Sequence, residues 1–159
     1  MTKPFIYSNL NGLNTILGDG FIVFDCAVPL EHQLAALSDM PATPRWDVPV
    51  VGVEGPLEGL LDEGKTFPED SQGAALLYYW ALSRCSMMVA ALDGVVPPEI
   101  QLASMAGIPI LGVTMRHVQH PVVHSVLAAT VAPNQGVIRA LVNALVLSVS
   151  VRSDSEGTV

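Results

Sequence analysis

Two acidic residues near the centre of the chain, Asp93 and Glu99, have the residue type and the spacing for chemistry at one pocket, since only five residues separate them. Asp93 ends an apolar run and forms a turn-type pair with Gly94. Glu99 stands in the first turn of a helix that Pro97 and Pro98 open, where the positive helix end favours an ionised carboxylate. Such a carboxylate at a pocket floor suits nucleophilic attack on a sugar carbon. Purely structural roles, in a turn and in helix stabilisation, also suit these two acids.

The segment around the two acids is predicted to be a β-α-β unit. Its first strand is Met87–Leu92, its helix ends at Gly107, and its second strand is Ile108–Thr114. Both strands are apolar throughout, as buried parallel strands are. Because ligands bind outside the carboxyl ends of the strands in open parallel sheets, we expect both acids at a binding pocket.

Strands alternate with helices along the rest of the chain, which favours the α/β class. We expect a Rossmann-like three-layer sandwich with a mainly parallel sheet of about five strands. The first two strands either form a hairpin or run in parallel, since periodicity does not distinguish these arrangements. The remaining predicted strands are Phe5–Ser8, Phe21–Asp25 and Val48–Val53, and the remaining predicted helices are Pro29–Met40, Gln72–Cys85 and Gln135–Ser148.

Length and composition indicate one domain with a surplus of apolar surface. The 159 residues are enough for a single core, expected over residues 1–151 and followed by a flexible polar tail at 152–159. Half of the residues are hydrophobic and only 14% are charged. So much apolar sequence is hard to bury in one copy, which predicts a homodimer or a higher homo-oligomer.

The net charge of −8 restricts the partners. Phosphate neutralisation needs clustered positive charge, so a nucleic acid polymer is not expected, whereas a free nucleotide needs only a few donors. The N-terminal segment has no long apolar region, and no apolar stretch approaches the roughly 18 residues of a membrane span. We therefore predict a cytoplasmic protein with no membrane partner, in which Cys26 and Cys85 are buried free thiols.

The central stretch contains a recognisable order of motifs: an apolar strand, Leu-Asp-Gly, a short loop, Glu-Ile-x-x-Ala, Ala-Gly-x-Pro-Ile and a second strand. This order resembles that of the nucleoside 2-deoxyribosyltransferase family, whose relatives include nucleoside 5′-monophosphate N-glycosidases. In that family the glutamate that opens the helix attacks the anomeric carbon and displaces the base. The resemblance implies that Glu99 is the nucleophile and that Asp93 binds the sugar hydroxyls. It also implies that Tyr7, in the N-terminal Ile-Tyr pair, lies near the catalytic carboxylate and positions it.

Further candidate residues are expected around these three. Asp25 ends a strand, and Asp70 either caps the following helix or, as the resemblance implies, touches the base. The resemblance also implies that His120 or Ser125 completes the pocket of a neighbouring subunit. The full set of expected substrate-binding residues is Ser8, Asp25, Asp70, Gly94, Met115, His120 and Ser125.

A metal or a bound cofactor is not expected. His117, His120 and His124 have a spacing that suits one helical face, but no acid or cysteine lies beside them in the sequence. The sequence also lacks the glycine-rich motifs of dinucleotide-binding and phosphate-binding loops. We therefore predict no metal site and no cofactor.

The sequence thus predicts an enzyme that cleaves or transfers the N-glycosidic bond of deoxynucleosides or their monophosphates through a glycosyl-enzyme on Glu99. One alternative is a catalytically silent protein that binds or sequesters nucleotides on the same scaffold, because the loop before Glu99 is shorter than in the family and lacks its Gly-Thr step. A further alternative, an oligomeric scaffold, predicts no nucleotide binding.

Overall fold

The fold is built on a parallel sheet. The computed structural model describes residues 3–41, 43–49, 57, 71–93, 98–115 and 127–157. The strands in this part of the chain are β1 (Phe5–Ser8), β2 (Ile22–Asp25), β3 (Met87–Ala91), β4 (Ile110–Val113) and β5 (Ala129–Val131). They form one five-stranded sheet in the order β2-β1-β3-β4-β5, and every neighbouring pair is parallel. The first two strands are therefore parallel and not a hairpin, and the sheet changes its winding direction between β1 and β3.

Helices cover both faces of this sheet. The described helices are α1 (Leu13–Leu17), α2 (Leu34–Ser38), α3 (Ser71–Arg84), α4 (Glu99–Ala106) and α5 (Gln135–Gly157). Residues of α2, α3 and α4 share a core with Phe24, and we call this side the α3 layer. Residues of α1 and α5 share a second core with Ile6, and we call this side the α5 layer. The predicted three-layer α/β sandwich with a parallel sheet is confirmed.

Alternate residues of each strand enter different layers, which decides where each side chain can act. In β1, Phe5 and Tyr7 pack in the α3 layer, whereas Ile6 packs in the α5 layer. In β2, Phe24 joins Tyr7 in the α3 layer, with 5.4 Å between the ring centroids. All four residues of β1 are buried, as expected for a central strand with helices on both faces.

The predicted strand Val48–Val53 lies mostly outside the described residues. Residues 48 and 49 of the predicted strand Val48–Val53 lie outside any strand, and residues 50–53 fall outside the described part of the chain. Val48 is buried at the end of a loop that Trp46 fixes by donating its indole N–H to the Cys85 carbonyl oxygen at 2.6 Å. The last strand of the described sheet, Ala129–Val131, was not predicted, because three residues are too few for periodicity to be recognised.

Two predicted helices have different bounds. The helix predicted over Pro29–Met40 consists of a 3-10 turn at Leu30–Gln33 followed by α2. The 3-10 turn forms because the Gln33 side-chain amide donates a hydrogen bond to the Asp25 carbonyl oxygen at 2.7 Å. The last helix, α5, continues past its predicted end at Ser148, because the buried Val149 extends its apolar face. Residues 152–157, predicted as a tail, belong to this helix. No helix in the described ranges combines the length and the apolar character needed to cross a membrane.

Candidate functional site

Glu99 is the first residue of α4 and stands where the chain returns from β3. Pro98 precedes it with φ −64°, a helical value that starts the helix without a side-chain cap. The helix ends at Gly107, whose φ of 82° lies in the left-handed region that glycine tolerates. Ile100 and Ala103 are buried against the sheet, so α4 is held at both ends and along one face. These features place the half-buried Glu99 at the carboxyl edge of the sheet.

Three further titratable side chains lie around Glu99: Tyr7 from β1, Cys26 just after β2 and Tyr78 from α3. Burial is the main cause that raises the pKa of each, and the negative charge of Glu99 raises it further. The pKa of Tyr7 lies well above its ordinary value, and that of Cys26 rises to about 11. All three groups are therefore protonated at neutral pH, and each lies close enough to Glu99 for its charge to raise the pKa of the group.

The Tyr7 hydroxyl is buried and makes no hydrogen bond of ordinary geometry with any described residue. Its ring is fully covered and packs against Phe24. The hydroxyl lies near the Cys26 thiol, where it offsets part of the rise in the pKa of Cys26. A buried hydroxyl without a partner costs about 1–3 kcal/mol. A buried hydroxyl of this kind beside a carboxylate is typical of a site that binds a polar atom of a ligand.

Tyr7→Phe is expected to raise the free energy of unfolding by about 1 kcal/mol, because the ring stays and the hydroxyl that is lost makes no hydrogen bond of ordinary geometry with any described residue. Urea unfolding followed by tryptophan fluorescence measures this change. Tyr79→Phe, at a half-buried position of α3, is the matched control and is expected to shift the value by less than about 0.5 kcal/mol. A loss of stability in Tyr7→Phe would show that the hydroxyl has a structural partner.

Asp93 joins the ends of β3 and β4 and is exposed. One of its carboxylate oxygens accepts a hydrogen bond from the Thr114 hydroxyl, and the other accepts one from the Met115 backbone N–H at 2.7 Å. The Met115 side chain, another expected substrate-binding group, is 73% exposed at the same strand end.

Asn9 bridges β1 and β3 at the point where the sheet changes its winding direction. Its side-chain oxygen accepts a hydrogen bond from the Ala91 N–H at 2.7 Å, and its amide donates to the Ala91 carbonyl oxygen at 3.3 Å. The Asn9 side chain thus supplies the hydrogen bonds that a neighbouring strand would otherwise give to the backbone of Ala91, where β3 continues beyond the end of β1. Sequence reasoning missed this residue, although its position directly after a predicted strand was an available signal.

Ser8 and Asp25, two expected substrate-binding residues, lie at the carboxyl ends of β1 and β2. The two residues are paired across β1 and β2. Because alternate residues of a strand face opposite sides of the sheet, they lie on the same side as Ile6, which packs in the α5 layer. The Ser8 hydroxyl is buried and accepts a hydrogen bond from a backbone N–H at 2.9 Å. Asp25 accepts one from the Ala27 N–H at 2.8 Å and lines a cavity of about 410 Å³ beside the start of α1.

Several predicted residues lie outside the described part of the chain. Within the described ranges, no group of three or more His, Cys, Asp or Glu side chains is placed to hold a metal ion. The residues outside these ranges are Asp70, Gly94, His120 and Ser125, together with His117 and His124.

Cys26 and Tyr78 are neighbours of Glu99 that the sequence did not assign to the site. Cys26 was expected to be a buried thiol, but it is only half-buried. Tyr78 is half-buried and meets Phe24 edge-on, with 5.8 Å between the ring centroids. The available signal for Cys26 was its place two residues after Phe24, which puts both on one face of an extended chain. No local signal marks Tyr78, because only the packing of α3 on β2 brings it there.

Comparisons of the chain with protein-family models, with curated proteins and with solved structures find no match. The family resemblance therefore rests on the order of motifs around Glu99. The structure adds the type of site: a half-buried carboxylate at a helix start, whose charge raises the pKa of two phenols and a thiol so that they remain protonated.

Proposed function

We propose that this protein cleaves or transfers the N-glycosidic bond of deoxynucleosides or deoxynucleoside monophosphates, with Glu99 as the nucleophile. The observation that carries the proposal is the half-buried Glu99 close to the buried Tyr7 hydroxyl, which makes no hydrogen bond of ordinary geometry with any described residue. The location of Glu99 at the carboxyl edge of a doubly wound sheet, where such sheets bind ligands, supports it. The order of motifs around Glu99 suggests the substrate class.

In the proposed first step, a Glu99 carboxylate oxygen attacks C1′ of the sugar and forms an ester bond. The bond between C1′ and the base nitrogen breaks, and its electron pair leaves with the base, which takes a proton from water. In the second step, water or another base attacks C1′, the ester bond breaks, and Glu99 leaves as a carboxylate. The attacking water or base loses a proton to solvent. Two displacements at C1′ retain its configuration.

Two neighbouring residues are proposed to support this chemistry. Burial and the Glu99 charge raise the pKa of Tyr7, so its hydroxyl stays protonated and can donate to the carboxylate oxygen that does not attack. Tyr7 is therefore a positioning residue in this proposal. Asp93, whose carboxylate is held at the ends of β3 and β4 by the Thr114 hydroxyl and the Met115 N–H, is proposed to bind a sugar hydroxyl, as the resemblance implies.

The proposal is tested with a panel of deoxynucleosides and deoxynucleoside monophosphates, incubated with and without an acceptor base and analysed by chromatography. Release of free base without an acceptor is the result expected of a hydrolase, and a new nucleoside that forms only with an acceptor is that of a transferase. Asp19→Asn, which removes an exposed carboxylate in the 3-10 turn after α1, is the control and is expected to keep full activity. No product from any member of the panel would contradict the proposal.

A second candidate function, nucleotide binding without turnover, is favoured by the contacts of Asp93. Both Asp93 oxygens already accept hydrogen bonds from Thr114 and Met115, so these contacts within the protein compete with any hydrogen bond to a substrate. A protein of this kind would show a higher melting temperature with a nucleotide from the panel and would release no base. Thermal denaturation beside chromatography therefore distinguishes the two functions.

The homo-oligomer and the cytoplasmic location inferred from the sequence remain predictions. Apolar side chains on the described surface offer area for association, because Met105, Met115 and Leu147 are each at least 65% exposed. A subunit contact that covers them would remove apolar surface from water.

A further inference from the structure

The cavity of about 410 Å³ beside α1 lies on the face of the sheet that α1 and α5 cover. Leu13 and Val23, which line this cavity, pack in the α5 layer, whereas Tyr7 packs in the α3 layer. The cavity is therefore a place distinct from the cluster around Glu99. Its volume falls within the range of small-molecule sites.

Asp25 contributes the one carboxylate of the described lining, and the loop after β2 holds it in position. The Gln33 side-chain oxygen accepts a hydrogen bond from the Asp25 N–H at 3.0 Å, and its amide donates to the Asp25 carbonyl oxygen at 2.7 Å. The Ala27 N–H donates to one carboxylate oxygen, Oδ1, at 2.8 Å. The other oxygen, Oδ2, accepts no hydrogen bond from any described residue. The half-buried Asp25 thus brings a held carboxylate, with one oxygen still open to a donor, to the lining.

Uncharged groups that both donate and accept surround this carboxylate. Asn11 precedes α1, Asn14 and Thr15 belong to it, and His32 comes from the 3-10 turn before α2. None of these four side chains makes a hydrogen bond with a residue in the described part of the chain. The described lining contains no lysine or arginine, so the Asp25 charge would repel a phosphate without compensation. The lining therefore matches an uncharged ligand rich in hydroxyl groups.

We propose that this cavity binds an uncharged sugar ring through two neighbouring hydroxyl groups. A hydroxyl group can donate to the Asp25 carboxylate and accept from an asparagine amide at the same time. Val23 and Val28 supply an apolar wall for the C–H face of the ring. The proposal is independent of any chemistry at Glu99.

The test is NMR titration of the isotopically labelled protein with methyl ribofuranoside and with methyl glucopyranoside, followed through the backbone amide signals. The Ala27 N–H donates to the Asp25 carboxylate, so its signal is expected to move as the sugar binds. Methyl 2-deoxyribofuranoside lacks one of the two neighbouring hydroxyl groups of the riboside. It is expected to bind at least about tenfold more weakly than methyl ribofuranoside.

Two variants test the lining against a matched control. Asp25→Asn keeps the size of the side chain and an oxygen for the Ala27 N–H but loses the charge, and it is expected to bind the same sugar at least about tenfold more weakly. Asn14→Ala, at an exposed position of α1, is expected to bind about threefold more weakly or less tightly still. Asp19→Asn is the control, because Asp19 is exposed and is not among the described lining residues, and it is expected to bind like the wild type.

Amide signals that move with neither glycoside would overturn the proposal. Movement confined to Tyr7 and Tyr78 would overturn it too, because the sugar would then lie at the Glu99 cluster. Equal sugar affinity of Asp25→Asn and Asp19→Asn, or measurable and equal binding of methyl ribofuranoside and its deoxy analogue, would do the same. If only one of the two glycosides moves the Ala27 signal, the proposal stands with that ring as the ligand class.

Discussion

Glu99→Gln is expected to lower turnover by at least about a thousandfold, as loss of a covalent nucleophile does in other enzymes. The amide keeps the size of the side chain but lacks the negative charge that attacks C1′. Chromatography of the products measures the loss, with Asp19→Asn as the control that removes a carboxylate elsewhere. Mass spectrometry of the intact protein, quenched in acid during turnover, is expected to show one added deoxyribosyl group in the wild type and none in Glu99→Gln.

The same variant has a second readout, the alkylation of Cys26, that does not depend on activity. Burial and the Glu99 charge raise the pKa of Cys26 from 9.0 to about 11, so below pH 9 its thiolate fraction is about a hundredfold lower than that of an ordinary cysteine. Glu99→Gln removes a negative charge that disfavours the thiolate, and the pKa of Cys26 therefore falls. Alkylation by iodoacetamide at pH 8.5 is expected to be about threefold faster for each half unit of that fall.

The two readouts separate the proposed mechanism from the geometry of the site. Peptide mass spectrometry assigns the alkylation to Cys26 rather than to the fully buried Cys85. Faster alkylation with unchanged turnover would keep Glu99 beside Cys26 and remove it as the nucleophile. Unchanged alkylation would contradict the cluster itself.

The β-α-β unit around Glu99 could be predicted because local signals mark both ends of its helix. Pro98 has a backbone conformation that already suits a helix start, and Gly107 has the positive φ of a helix end. Signals of this kind act within a few residues and need no knowledge of distant segments. The apolar runs on either side are likewise local, and together with the helices between them they indicated a parallel α/β sheet.

The neighbours of Glu99 could not be predicted in the same way, because they come from distant parts of the sequence. Tyr7 lies on β1 and Cys26 directly follows the neighbouring β2, and Tyr78 joins them only because α3 packs over those strands. The periodicity of one strand carries no information on which strand lies beside it. Asp25 and Cys26 are adjacent in the chain, yet alternation sends them to opposite layers, so a place at a strand end does not by itself decide which residue faces the site.

Phe24→Ala is expected to lower the free energy of unfolding by about 3–5 kcal/mol, the range for a buried aromatic residue truncated to alanine. Phe24 has no exposed surface, and its ring lies against those of Phe5, Tyr7 and Tyr78, with centroids 6.5, 5.4 and 5.8 Å away. Its removal leaves a cavity between β1, β2 and α3, which a close-packed core fills only in part. The same ring supports both phenols that flank Glu99.

Urea unfolding measures this loss against two matched variants. Phe21→Ala removes a half-buried ring that packs in the α5 layer, and it is expected to cost at most about 2 kcal/mol. Phe24→Leu keeps most of the apolar volume and is expected to cost less than about 1.5 kcal/mol. Equal losses in Phe24→Ala and Phe21→Ala would show that other contacts hold Tyr7 and Tyr78. Because these phenols surround Glu99, a loss of turnover in Phe24→Leu at nearly unchanged stability would show that the aromatic contacts of Phe24 hold the site in its working geometry.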